Sequence, residues 1–219
     1  MKKNKLYIAT VLFSALALTT SCDSFLDKLP DDRAEVNTTE KITSLLVSAY
    51  PSNSSNFILE NSSDNYTDNG KEYDTYQEVE QAYRFEPVTD QTNDDPKALW
   101  NGYYGAISAA NQALASIDEM GNPASLKGQR AEALLCRAYS MYRLATTFCM
   151  SYNPDKAEEY MGLPYPTVPE TTVNPHYERG TLKELYQKID ADIEAALPDV
   201  DDDIYTQPKY HFNKKAAYA

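Results

Sequence analysis

Apolar residues recur at the spacing of an α-helix in three long stretches of the chain. In the first, Asp95 and Pro96 supply an N-cap and a proline at the first helical position, and Gly121 follows the last apolar turn. The apolar face comprises Trp100, Tyr103, Tyr104, Ile107, Asn111, Leu114 and Ile117. The pattern predicts a long helix with Trp100 packed in the core.

A second long helix is predicted directly after the first. Asn122 and Pro123 repeat the combination of a cap residue and a proline, and apolar residues continue at one-face spacing to about Met150. A link this short between two long helices requires that they pack antiparallel. Arg137 and Arg143 interrupt the apolar pattern, and we expect them to pair with acids on neighbouring helices.

The third stretch opens with Thr181 and Glu184, which form a capping box, and its apolar face ends at Pro198. Asn213 then caps a further helix, of which the sequence contains about two turns before Ala219. Helix-pair repeats bury their apolar faces against the next helix. We therefore expect the repeat to be incomplete at its C-terminal end.

Weaker signals fill the rest of the chain. Asn37 and Glu40 form an N-cap pairing before a short helix that stops at Pro51. Residues 52–96 and 151–180 lack periodicity and are predicted to be long irregular loops. The complete pattern predicts an all-α, mostly helical fold built from helix pairs with long irregular loops.

The N-terminus has the pattern of a bacterial lipoprotein. Lysines precede an apolar run from Leu6 to Leu18, which is too short to span a bilayer and ends just before Cys22. We expect residues 1–21 to be a signal peptide and Cys22 to carry lipid such as palmitate. Residues 22–36 are charged and predict a tether to the folded body.

Net charge excludes one class of partner. Removal of the three lysines of the signal peptide takes the formal charge from −13 to −16, and no basic cluster follows Cys22. An acidic surface repels nucleic acid, so we expect no nucleic-acid partner.

Metal and disulfide chemistry have little support. Cys136 and Cys149 are 13 residues apart on one predicted helix, a separation of about 20 Å that no disulfide spans. The acidic run 199–203 begins like a calcium loop, but Ile204 and Tyr210 replace the required Gly and Glu. We predict a solvated loop, no metal site and no cofactor.

Five segments together resemble the N-terminal region of the SusD/RagB family of outer-membrane nutrient-binding lipoproteins. They are residues 22–27, 100–111, 132–148, 179–198 and 212–219. The resemblance implies tetratricopeptide-like helix pairs and divides the chain into a signal peptide (1–21), a tether (22–36) and an incomplete SusD-like N-terminal domain (37–219).

The resemblance also implies a function. Such proteins bind glycans or other nutrients at the cell surface and deliver them to a SusC-like, TonB-dependent transporter. We therefore expect a lipid-anchored protein of the outer membrane, exposed at the surface, that binds starch or another oligosaccharide and is not an enzyme.

Candidate glycan contacts combine aromatic faces with carboxylate, amide or guanidinium groups. The loop residues Asn65, Tyr66, Asp68, Tyr73 and Arg84 have this composition. The same tyrosines could instead pack the loop onto the helices. Trp100 also has the shape of a stacking platform, but its place on the apolar face favours the core.

Three other functions stay open from the sequence. The helix pairs could bind a protein or peptide, or the chain could be a nonfunctional fragment. A lipid-anchored glycoside hydrolase would need two carboxylates at defined separation across a cleft, and the many acids of this chain do not single out a pair.

Overall fold

The computed structural model describes residues 35–70, 76–89, 94–173 and 175–219. These residues form seven α-helices: α1 Thr39–Val47, α2 Asn56–Asn61, α3 Gln77–Tyr83, α4 Pro96–Glu119, α5 Lys127–Phe148, α6 Leu182–Ala196 and α7 Lys214–Ala217. They contain no β-strand, although Met161 and Thr181 form an isolated antiparallel bridge. The prediction of an all-α fold is confirmed.

The N-terminal predictions concern residues that the structure does not describe. The signal peptide, Cys22 and residues 23–34 of the tether lie outside the described ranges. The folded body begins at Val36, which packs against the core. None of the helices in the described ranges has the length and apolar character needed to cross a bilayer.

Helices α4 and α5 form the central antiparallel pair. Asp118 pairs with Arg130 near the link, and Asn111 pairs with Arg137 about two turns further from the link on each helix. Gly121 and Asn122 make the link tight by adopting left-handed backbone conformations with φ of 81° and 52°. The prediction that Asn122 caps the second long helix is wrong, because Asn122 belongs to the link and α5 begins only at Lys127. A 3-10 turn at Ala124–Leu126 precedes the helix instead.

The caps of α4 and α6 agree with the sequence. Asp95 accepts a 2.7 Å hydrogen bond from the amide of Ala98. Thr181 and Glu184 exchange two hydrogen bonds between side chain and backbone, of 3.2 and 2.8 Å, as a capping box requires. The α1 cap is Thr38 instead of the predicted Asn37, because the Thr38 hydroxyl accepts from the amide of Lys41.

The interval 52–96 is not a continuous loop. It contains α2 and α3, of six and seven residues. Helices this short span fewer than about two turns, so an apolar period has no room to repeat. The hydroxyl of Ser62 donates to the carbonyl of Ala82 and ties the end of α2 to α3.

Two apolar clusters form the core, and α5 contributes to both. The first joins α1 with the later turns of α4 and the early turns of α5, centred on Ile42, Leu46 and Ile117. The second joins the early turns of α4 with α5 and α6, centred on Leu99, Met141 and Leu185. Leu163, from the long 149–181 connection, is buried in the second cluster and holds that connection against the helices.

Candidate ligand-binding site

A groove of about 370 Å³ lies between α4 and the connection from α5 to α6. Its lining from α4 is Trp100, Tyr104, Ser108 and Asn111. Its lining from the connection is Pro164, Pro166, Val168, Glu170 and Tyr177. The volume is within the range of small-molecule sites, which are typically apolar and aromatic with a few polar groups.

The α4 side of the groove is a single stripe of the helix. Residues 100, 104, 108 and 111 are spaced by four, four and three, which places them on one face. Leu99, Tyr103 and Ile107 occupy the neighbouring stripe and are buried in the core. The groove stripe therefore borders the core stripe along the helix.

The prediction that Trp100 lies in the core is wrong. The Trp100 side chain is 37% exposed because it belongs to the groove stripe. Its ring lies 4.9 Å from that of Tyr104 and makes an edge contact with Phe148 at 5.4 Å. These contacts support one part of the indole and leave the rest open to the groove.

Residues 164–167, here called the proline wall, face this aromatic side. The hydroxyl of Tyr104 donates to the carbonyl of Pro164 at 3.0 Å. The side-chain amide of Asn111 donates to the carbonyl of Pro166, also at 3.0 Å. Burial raises the pKa of Tyr104, so its hydroxyl keeps the proton that it donates.

A buried ion pair lies behind the proline wall. Arg137 donates to both oxygens of Asp192, from Nε at 2.6 Å and from Nη2 at 2.7 Å. Burial alone would lower the pKa of Arg137, but the hydrogen bonds and charge of Asp192 raise it. The prediction that Arg137 pairs with an acid on a neighbouring helix is confirmed.

Arg137 and Asp192 also form hydrogen bonds with residues of the proline wall. Arg137 Nη1 donates to the Asn111 side-chain oxygen at 2.9 Å and to the carbonyl of Thr167 at 3.4 Å. The Tyr165 hydroxyl donates to Asp192 at 2.5 Å. Burial and the neighbouring Asp192 charge raise the pKa of Tyr165, which keeps this hydroxyl a donor.

The groove rim carries a hydrogen-bonded pair. The Tyr177 hydroxyl donates to Glu170 Oε1 at 2.8 Å, and this contact raises the pKa of Tyr177. Glu170 and Ser108 are exposed and supply polar groups beside the aromatic rings. The arrangement combines stacking surfaces with hydroxyl and carboxylate groups, which suits a ligand with both apolar faces and hydroxyls.

The loop residues singled out in the sequence lie around α2 and α3, apart from the lining of the groove. Tyr66 is 46% exposed. Asn65 donates to Glu60, and Asp68 accepts from the backbone of Gly70. Arg84 pairs with Glu80 one turn earlier on α3. Tyr73 lies outside the described residues.

These loop residues are engaged locally. Among those that the structure describes, no hydrogen bond links Asn65, Tyr66, Asp68 and Arg84 to one another. Their joint role in ligand binding stays a prediction.

Several other sequence candidates are structural. Arg143 donates to Ser55 and Asn56 and not to an acid, so that part of the prediction is wrong. Cys136 and Cys149 are free thiols, and burial raises the pKa of both. Within the described ranges no group of three or more His, Cys, Asp or Glu side chains is placed to hold a metal.

The sequence did not predict the buried hydrogen-bond network around Glu132. Its carboxylate contacts the hydroxyls of Tyr50 and Tyr205 and Nδ1 of His211. The partners are 82, 73 and 79 residues away in sequence, so no local spacing could reveal them. The sequence signal was an acid within a helix rich in small and apolar residues.

Comparison with known families decides the relationship of the chain. Residues 24–219 match the model of a SusD-like family described as starch-binding and associating with the outer membrane. The chain belongs to this SusD-like family. The match covers all seven helices that the structure describes, including α4, and the residues that line the groove.

A solved structure agrees with this assignment at the level of the fold. It is described as a SusD superfamily protein from Bacteroides thetaiotaomicron, with a TM-score of 0.63 and 21% sequence identity. The matched region covers 81% of the SusD-like chain but 40% of the solved chain, so this sequence spans less than half of that relative. No curated protein sequence matches the SusD-like chain significantly.

Proposed function

We propose that this chain binds a starch-type oligosaccharide in the groove between α4 and the proline wall. The observation that carries the proposal is Trp100, which is supported by Tyr104 and Phe148 and partly open to the groove. An aromatic ring held in this way offers a flat apolar face to a sugar ring. The family description as starch-binding supports this choice of ligand.

The proposed role is binding without bond cleavage. Among the described residues that line the groove, Glu170 is the one with a carboxylate, and its Oε1 atom accepts from Tyr177. Hydrolysis of a glycosidic bond ordinarily uses two carboxyl groups across the scissile bond. The groove composition therefore favours capture and release.

We further propose that the bound oligosaccharide passes to a SusC-like, TonB-dependent transporter. In this proposal, lipid on Cys22 anchors the protein at the surface of the outer membrane. The apolar run before Cys22 and the association of the family with the outer membrane support this location. Two or three acyl chains would make the anchor nearly permanent.

The residues around α2 and α3 are a second candidate contact set. Tyr66 presents an exposed ring there, beside the polar groups of Asn65 and Asp68. The chain spans 40% of the length of the solved relative. Substitutions at Trp100 and at Tyr66 distinguish binding in the groove from binding at the residues around α2 and α3.

The test is calorimetric titration of the full chain, purified in detergent, with maltoheptaose. Trp100→Ala is expected to weaken binding at least about tenfold through loss of the stacking surface. Tyr66→Ala is the matched control, because it also removes a part-exposed aromatic ring.

Each result has a defined meaning. Loss of binding in Trp100→Ala alone supports the groove, and loss in Tyr66→Ala alone assigns binding to the α2–α3 region. Absence of binding by the unaltered chain to maltoheptaose and to a panel of other neutral oligosaccharides contradicts the proposed function.

A further inference from the structure

The proline wall is anchored at four consecutive residues by side chains from three helices. Tyr104 binds the carbonyl of Pro164, Asp192 accepts from the Tyr165 hydroxyl, Asn111 binds the carbonyl of Pro166, and Arg137 reaches the carbonyl of Thr167. Two of the four residues are prolines, which have no backbone N–H and fixed φ angles. The segment therefore depends on these anchors for its position.

Arg137 is the centre of the anchoring network. It holds Asp192 with two hydrogen bonds, fixes the Asn111 side chain through its oxygen, and contacts Thr167. Fixing that oxygen leaves the amide of Asn111 directed at Pro166. Its side chain is 8% exposed and does not line the groove.

We propose that Arg137 is a positioning residue for the ligand groove, setting the distance of the proline wall from the Trp100 and Tyr104 rings. This inference rests on the proposed function for its ligand and on the structure for its geometry. A wall held in place before binding avoids the cost of ordering it when ligand arrives. Ligand affinity should then depend on a residue that never touches the ligand.

The planar guanidinium is essential to this role. Arg137 donates to Asp192 from Nε and Nη2 in a bidentate arrangement. Its third nitrogen, Nη1, donates to Asn111 and to the carbonyl of Thr167. A lysine ammonium is a single point of charge and cannot hold the same set of partners. Arg137→Lys therefore keeps the positive charge but cannot make the simultaneous hydrogen bonds to Asp192, Asn111 and Thr167.

Asn111→Asp tests one anchor of the wall while leaving Arg137 and Asp192 in place; because Asn111 also lines the groove, its quenching result tests the positioning role and its affinity does not. The substitution keeps an oxygen for Arg137 and replaces the amide that donates to Pro166 with a second oxygen. The contact with the Pro166 carbonyl then becomes repulsive. Arg143→Lys is the matched control, because Arg143 lies on the same helix but binds Ser55 and Asn56 at a different surface.

The experiment combines two measurements on the full chain in detergent. Both are made at a temperature at which every variant is folded. The first is acrylamide quenching of Trp100, the single tryptophan of the sequence, which needs no ligand. The second is the affinity for maltoheptaose. We expect Arg137→Lys and Asn111→Asp to increase quenching and to weaken binding about tenfold, while Arg143→Lys changes neither.

Unchanged quenching in both wall variants would overturn the inference, whether or not the sugar binds. Equal effects of Arg137→Lys and Arg143→Lys would also overturn it, because they would indicate a general loss of stability. If the unaltered chain binds no oligosaccharide, the proposed function fails, and the quenching result alone decides the positioning role.

Discussion

The buried carboxylate of Glu132 accepts a 2.6 Å hydrogen bond from the hydroxyl of Tyr50, 82 residues earlier in the chain. Tyr205 donates to its other oxygen, and Nδ1 of His211 lies 2.6 Å from the first. The amide of Phe212 in turn donates to the Tyr50 hydroxyl. One carboxylate on α5 thus ties residues 205–212 and the segment after α1 to the helical body.

Glu132→Gln should therefore destabilise the body by about 2 kcal/mol, because it places an amide donor among groups that donate to a buried carboxylate. Urea unfolding followed by circular dichroism measures the change. Glu194→Gln is the control, because Glu194 is exposed on α6. Equal stability of the two variants would show that the Glu132 network contributes nothing specific.

Breaking the ion pair of Arg137 and Asp192 should lower the unfolding free energy far more than breaking the pair of Lys183 and Glu158. Asp192→Ala leaves a buried guanidinium without its partner and should cost about 3 kcal/mol in unfolding free energy. Glu158→Ala breaks an exposed pair and should leave the unfolding midpoint nearly unchanged. A comparable midpoint shift in both variants would contradict the assignment of a buried, structural pair.

Gly162 packs against the backbone at the start of α6, and Gly105, in the middle of α4, provides the control. A Cβ at Gly162 would lie 2.6 Å from the carbonyl oxygen of Thr181, whereas one at Gly105 meets nothing within 4 Å. Gly162→Ala should destabilise the fold by more than about 1 kcal/mol, because the added methyl group would force the backbone at Thr181 to shift. Gly105→Ala should stabilise it by roughly 0.5–1 kcal/mol through helix propensity. Thermal unfolding of both variants checks the opposite signs.

The capping box of α6 makes a smaller contribution. Thr181→Ala removes the hydroxyl that accepts from the amide of Glu184 and should cost about 1 kcal/mol. Thr181→Ser retains the hydroxyl and should recover most of the loss. If serine and alanine destabilise the protein equally in urea unfolding, the side-chain cap is not the stabilising feature.

The long helices could be predicted because their local signals agree with one another. Asp95 and Pro96 begin α4 as the sequence indicates, and Thr181 with Glu184 begins α6. Each of these caps acts within about one turn, so it can be identified without knowing the tertiary structure. Asn122 misled the prediction because its left-handed backbone belongs to the link between two helices.

The groove could not be predicted, because it depends on which side of α4 the connection between α5 and α6 covers. Trp100 and Tyr103 share one broad apolar face in the sequence, yet Tyr103 is buried and Trp100 lines the groove. The spacing of residues 100, 104, 108 and 111 does not by itself separate this stripe from the core stripe beside it. Nothing local indicated that Pro164 and Pro166 would lie opposite it, about 60 residues away.

The most direct test of the central claim uses the indole N–H of Trp100, which gives one side-chain signal in a proton–nitrogen NMR spectrum because the sequence has a single tryptophan. Titration of the full chain with maltoheptaose is expected to shift this signal saturably, with the dissociation constant found by calorimetry. An indole signal that stays unmoved while calorimetry reports binding would contradict the account, since the sugar would then bind away from the groove.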